Sequence, residues 1–275
     1  MLKSLFRIFI CLYYIIINKQ LFTYIRLKYS FENKNIFIFG SGNSINEINL
    51  NSPCFNENSL IVTINLSFNL VGLVPDIIFI ETKNNEIIDK LIFDTFREKY
   101  YESNLSNSYI MLHESFLRNK YYLDKYRSLS KNVIIYRTIK IPIIQKYCKS
   151  IDKTLLYRIF DPLFSYGCFL SHQSSLDRLI LYFLRCNVKN IILCGIDLKN
   201  SCYYWSNTNN NTYKKINAII TDNSTHNTIS KKNVIPVHHF LRIMNLFCSK
   251  RSIGLYTFSN SVYLSYILKS FLFRK

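Results

Sequence analysis

The sequence predicts an α/β protein built on a doubly wound, mainly parallel sheet with a small lid insertion. Three observations lead there. Short β-branched and aromatic runs without polar alternation recur along the chain, as strands covered on both faces require. Each stops at a glycine or a polar residue: 36–39 at Gly40, 60–64 at Asn65, 77–80 at Glu81, and 191–194 at Gly195-Ile196-Asp197. Between the runs lie segments with apolar residues at helical spacing.

The first strand leads into Gly40-Ser41-Gly42-Asn43-Ser44. Two glycines permit a tight turn and close backbone approach, and a helix from Ser44 would aim free N–H groups and a positive dipole end at an anion. The segment therefore reads as a nucleotide-phosphate loop; a purely structural turn is the competing reading. The third glycine of a dinucleotide fingerprint is missing, since Ile45 stands in its place, and the absence of a Gly-Lys-Ser/Thr run excludes a Walker-type loop.

Further strands are predicted over 109–112, 133–136 and 253–257, and helices over 85–98, 171–187 and 235–250. In the helix over 171–187, Leu176, Leu179, Ile180, Phe183 and Leu184 share a face, and Ser174 and Ser175 in its first turn either cap the helix or bind phosphate. The carboxyl ends of parallel strands line the ligand crevice of a doubly wound sheet, so Gly40, Asn65, Glu81 and Asp197 are expected on one edge. The polar, tyrosine-containing stretch after Asp197 is long for a passive connection and reads as a lid. The expected organisation is a membrane-associating segment over 1–32, a Rossmann-like nucleotide-binding domain over 33–197 and 230–275, and a lid over 198–229.

With 275 residues, 49% of them hydrophobic, the chain can bury the core of one large domain. A net charge of +18 calls for an anionic partner. No zinc-finger spacing, RNP-like run or basic recognition helix is present, which argues against nucleic acid. Basic and apolar residues coincide at both ends. At the start, Lys3, Arg7, Lys19 and Arg26 flank a charge-free run over 8–18 that is too short to span a bilayer. It fits a helix lying on an anionic membrane surface; a signal peptide is the rival reading, without an A-x-A-like cleavage site. The end, 263–275, repeats the pattern, read either as a second membrane contact or as a last helix docked on the core. Eight cysteines form neither a C-x-x-C pair nor a zinc-spaced Cys/His set and read as reduced, mostly buried thiols. The expected location is peripheral, on the cytoplasmic face of a bacterial inner membrane.

In this order the motifs resemble the Campylobacter-type bacterial sialyltransferases that build lipooligosaccharide outer cores. That family's G-N-G-P-S is similar to Gly40-Ser41-Gly42-Asn43-Ser44, its C-N to Ile64-Asn65, its T-S-G to the region of Ser174-Ser175, and its S-G-I-D-F-Y to Cys194-Gly195-Ile196-Asp197-Leu198-Lys199. The likeness runs over roughly residues 34–268. The resemblance implies a Rossmann-like sheet and an inverting glycosyltransferase that moves a CMP-activated acidic sugar, sialic acid above all, to a glycan or lipid-linked glycan acceptor such as lipopolysaccharide, lipooligosaccharide or capsule. It also implies no cofactor and no metal, in keeping with the absence of a D-x-D pair from the chain. An oligomer is compatible with it.

By the same resemblance the donor nucleotide would be held by Gly40, Ser41, Gly42, Asn43, Ser44, Asn65, Glu81, Ser174, Ser175, Gly195 and Asp197, with Tyr203 and Tyr204 reaching the phosphate from the lid. The chain departs from the family at Ser41, Asn43 and Lys199, and at Ile229, where the family has its catalytic histidine. The nearest histidine, His226, is the expected general base, since an imidazole suits proton removal from an acceptor hydroxyl at neutral pH. His172 is a lesser candidate, and His113, His238 and His239 read as structural. Two other functions compete: a pterin-pyrophosphokinase-like diphosphotransferase, which would need magnesium, and a non-enzymatic membrane-surface protein with a vestigial nucleotide fold.

Overall fold

The computed structural model describes residues 31–55, 58–70, 72–81, 86–103, 105–139, 168–170, 175–184, 186–197, 237–258, 264 and 266–271. Nine strands form one sheet: β1 (Asn35–Phe39), β2 (Ser59–Ile64), β3 (Ile77–Ile80), β4 (Tyr109–His113), β5 (Val133–Ile139), β6 (Cys168–Leu170), β7 (Asn190–Cys194), β8 (Gly254–Thr257) and β9 (Lys269–Ser270). Their spatial order is β6-β5-β4-β3-β2-β1-β7-β8-β9. Every pairing between neighbours is parallel. The chain walks outward from β1 to β6, then returns to lay β7 against the other side of β1. The order of strands therefore reverses between β1 and β7.

The helices follow from that reversal. Right-handed crossovers put connections on one face while the chain walks one way and on the opposite face after it turns back. Helices α1 (Glu86–Glu102) and α2 (Lys120–Leu129) cover one face with Ile92, Phe93, Phe96, Tyr122, Leu123 and Tyr126, against Phe37, Phe39, Ile78, Ile80 and Leu112 of the sheet. Helices α3 (Ser175–Leu184) and α4 (Val237–Lys250) cover the other, where Leu179, Ile180, Phe183, Leu241 and Met244 join Ile36, Ile38, Val62, Phe79 and Leu193. With both faces of β1, β3 and β7 buried, their near-continuous apolar sequence has a physical cause. The fold is thus α/β and Rossmann-like, doubly wound around a parallel sheet.

Two expectations need correction. The helix foreseen after Ser44 is a single 3-10 turn, Asn43–Glu47, followed by turns through Asn49 to Phe55. Of the two readings of the end of the chain, docking on the core has support among the described residues: Leu264, which is helical, and Leu268 enter the core, Lys269–Ser270 pairs with β8, and Phe271 packs on Phe37 and Tyr256. Phe31, within the segment assigned to the membrane, is buried against Tyr182 and Phe183 of α3. Glu32 is exposed, and residues 1–30 of the expected membrane segment and all of the expected lid lie outside the described residues. Among the described residues, no helix is long and apolar enough to cross a membrane. Cys186, Cys194 and Cys248 are buried free thiols, and burial pushes Cys248 up to about 12.

Tyr126 is the largest fully buried side chain, wedged among Phe93, Phe96 and Phe116. Burial first, and then the nearby Asp89 carboxylate, hold its phenol well above the ordinary tyrosine range. The native state therefore keeps a proton that the unfolded chain releases near pH 10. The stability this contributes is full below about pH 10 and is lost as the pH rises toward the folded value. Melting temperature measured from pH 8 to 12 should fall above pH 10, with a shallower fall in Tyr126→Phe; equal slopes would contradict this assignment.

Candidate functional site

The reversal point is closed by hydrogen bonds between the loops that leave β1 and β7. Gly40 N–H donates to the Cys194 carbonyl at 2.8 Å and Gly42 N–H to the Gly195 carbonyl at 2.8 Å, extending the β1–β7 ladder past the strand ends. Beyond them, Asp197 accepts from the Ser44 N–H at 2.8 Å and from the Ser44 hydroxyl at 2.5 Å. Gly195 adopts φ +61, a left-handed conformation suited to glycine. Gly42 does not: its φ of −73 and ψ of 155 are open to any residue. Its glycine is required by space, since a Cβ there would stand 2.5 Å from Asp197 Oδ2 and 2.8 Å from the Gly195 carbonyl.

This geometry changes what the glycine loop does. The amides of Gly40, Gly42 and Ser44, expected to face a phosphate, are all bonded to the β7 loop. The loop is a clasp between two strands, and a ligand over it would meet the partly exposed Ser41 and exposed Asn43. Asn43 Oδ1 accepts from Asn46 Nδ2 at 2.9 Å, which fixes the side chain's direction. Asp197 in turn holds the clasp from the β7 side.

Next to it, the end of β2 is tied to both neighbours. The Ser67 hydroxyl donates to the Phe39 carbonyl at 2.7 Å while accepting from the Ile64 N–H at 2.8 Å. Asn65 stands at φ 50, a left-handed conformation that asparagine tolerates, and its Oδ1 accepts from the Glu81 N–H at 3.0 Å. The expected gathering of Gly40, Asn65, Glu81 and Asp197 at the carboxyl edge thus has a structural basis in the parallel strands β2, β1, β7 and β3.

Further along the same edge lies a group that sequence reasoning missed. Arg178, reaching from the first turns of α3, forms an ion pair with Glu81, whose Oε1 also accepts from the Tyr136 hydroxyl at 2.7 Å. Their side chains are 10% and 15% exposed. Burial pulls the Arg178 guanidinium down, but Glu81 and Tyr136 outweigh it and hold the group above its ordinary value. Tyr136 is held well above its own, by burial first and then by the Glu81 carboxylate, so its hydroxyl stays a donor. The His113 ring packs edge-on to Tyr136, centroids 5.2 Å apart, and its Nδ1 accepts from the Ser115 N–H at 3.2 Å. Read as structural from sequence, His113 sits at the carboxyl end of β4, on the same edge of the sheet.

Of the other expected site residues, Ser175 opens α3 and is buried. Ser174, Tyr203, Tyr204, His172 and His226 lie outside the described residues. No group of three or more His, Cys, Asp or Glu side chains suited to a metal occurs among the described residues.

The elements and the order of their strands define a class, the doubly wound, Rossmann-like α/β proteins. No family model matches the sequence, and no curated protein is significantly similar to it. A solved structure is similar in fold: the monofunctional alpha-2,3-sialyltransferase Cst-I from Campylobacter jejuni, at TM-score 0.52 and 13% identity, over 87% of this chain and 81% of that one.

Proposed function

We propose that the protein is an inverting glycosyltransferase that transfers a CMP-activated acidic sugar, sialic acid above all, to a bacterial surface glycan. The observation that carries this reading is the clasp between the β1 and β7 loops, which lies at the strand-order reversal of a fold shared with a sialyltransferase, the place where doubly wound sheets bind ligands. The donor nucleotide is assigned to that place, with Ser41, Asn43 and Asn65 as its polar contacts and Gly40, Gly42, Ser44, Gly195 and Asp197 as the scaffold beneath. Tyr203, Tyr204 and Ser174 complete the donor site in this proposal, by the resemblance alone. His226 is the proposed base; His226→Ala should lower turnover while leaving CMP affinity intact. A single phosphate on the leaving group can be stabilised by hydroxyls and amides without a cation. The segment before Phe31 is proposed to rest on anionic membrane, which sedimentation with anionic vesicles at low and high salt checks.

A thermal-shift screen with CMP, UMP, UDP and ATP, with and without magnesium, tests the central claim. A ligand bound only by the native state at 100 times its Kd stabilises it by about 2.7 kcal/mol. Selective protection by CMP without magnesium is the expected result. Protection by ATP with magnesium would replace this reading with diphosphoryl transfer, and protection by none would favour the non-enzymatic alternative.

A further inference from the structure

The polar edge of the sheet extends well past the clasp, and its far half has a chemistry of its own. Ile80 pairs with Leu112 and His113 with Tyr136, so Glu81, one step past Ile80, falls in a row with His113 and Tyr136 across the ends of β3, β4 and β5. Strand alternation puts the three side chains on the face that α3 covers, with Phe79, Met111 and Ile134. Arg178 meets them from α3.

Accessibility divides the four. Tyr136 and Arg178 are buried, at 2% and 9%, whereas Glu81 and His113 are half-buried and reach the surface. Stability does not account for such an arrangement, because a buried ion pair is commonly matched or exceeded by apolar residues of the same volume. What it does provide is a fixed, partly exposed carboxylate oriented by two donors.

We propose that Glu81 and His113 form the acceptor half of the crevice, a hydroxyl-binding pair for a neutral sugar, with Arg178 and Tyr136 as positioning residues behind Glu81. This rests on the glycosyltransferase reading above. A carboxylate held by a guanidinium and a phenol hydroxyl is oriented as a strong hydrogen-bond acceptor, suited to a sugar hydroxyl. Nδ1 of His113 is engaged by Ser115, whose hydroxyl stands 2.6 Å and whose N–H stands 3.2 Å from it, so the ring meets a sugar hydroxyl at Nε2, as donor or acceptor according to the tautomer. Carboxylate and imidazole stand on adjacent strands, about 4.8 Å apart at the backbone, a spacing that neighbouring hydroxyls of one sugar ring can bridge. The carboxylate repels an anionic ligand, which keeps the charged donor at the reversal point, with β2 between β1 and β3 and so about 10 Å away in strand spacings.

The test uses the full chain, CMP-N-acetylneuraminate as donor, and the methyl glycosides of galactose, glucose and N-acetylglucosamine as acceptor probes. Glu81→Gln keeps the side chain's shape, and His113→Asn keeps a residue able to cap the turn after β4. In each variant the acceptor KM should rise about 10- to 100-fold, the loss of a hydrogen bond involving a charged or oriented group, while the donor KM moves less than about threefold. Tyr136→Phe, which removes one donor from Glu81, should raise the acceptor KM by a smaller factor with kcat preserved. An acceptor KM unchanged in both Glu81→Gln and His113→Asn, or a donor KM rising in step, would overturn the assignment. Transfer by the wild-type protein to water alone, with all three glycosides ignored, would overturn it too. A wild-type protein that neither binds CMP nor consumes the donor would instead remove the glycosyltransferase reading itself, and this assignment with it.

Discussion

Arg178→Ala is expected to lower stability by about 3–5 kcal/mol, because it leaves the Glu81 carboxylate without its cation where only 15% of the side chain reaches solvent. The Tyr136 hydroxyl, still donating to Glu81, cannot supply the missing charge. Most of the loss measures the stranded carboxylate rather than the worth of the pair. Arg178→Met combined with Glu81→Leu should therefore recover most of it, since Arg178 is buried and its neighbours in the chain, Leu179 and Leu181, belong to the apolar core. Arg178→Lys should recover only part, as an ammonium lacks the planar fork. Urea unfolding at pH 7 of the single and double variants closes the cycle. A loss below about 1 kcal/mol for Arg178→Ala would mean that water reaches Glu81 freely and that the pair behaves as a surface ion pair.

The same residues mark where sequence reading succeeds and where it stops. The strands β1, β2, β3, β4, β5, β7 and β8 were legible because burial on both faces demands apolar runs, and their ends were legible because Gly40, Asn65, Glu81 and Asp197 break those runs. Helix α2 was not, although Tyr122, Leu123 and Tyr126 are its buried face: tyrosines serve at the surface as readily as in a core, and they blur the helical period. Strands β6 and β9 are three and two residues long, too short for a pattern. The Arg178 network joins residues 97 and 55 positions apart, and no local spacing announces it. One signal could have found it. Every residue of α3 is buried, Asp177 and Arg178 included, and charge inside an all-apolar helix needs a partner within the fold. The glycine loop shows a limit of another kind: its motif reads as a phosphate cradle, but the amides of Gly40, Gly42 and Ser44 bond to the β7 loop, a fact held in the three-dimensional meeting of β1 with β7.

Gly42→Val is the substitution expected to remove nucleotide binding altogether. Backbone conformation is no obstacle, as φ −73 and ψ 155 suit valine; the obstacle is the opposite loop. A Cβ would stand 2.5 Å from Asp197 Oδ2 and 2.8 Å from the Gly195 carbonyl, both nearer than real contacts allow. Asp197 can swing away only by releasing Ser44, and the Gly195 carbonyl is backbone at φ +61 that yields only by opening the β1–β7 clasp. Alanine alone should then cost about 1–3 kcal/mol, the usual range for overpacking, and valine more, with two further methyl groups in the same gap. Since the clasp forms the floor of the proposed nucleotide site, CMP protection should vanish in the valine variant. Gly72→Ala separates the two effects: at φ +77 it carries conformational strain of about 1–2 kcal/mol, but a Cβ there meets nothing within 4 Å. It should lose stability and keep its response to CMP. Thermal shift and circular dichroism on the three variants decide the matter, and a normal CMP response in folded Gly42→Val would place the nucleotide away from the strand-order reversal.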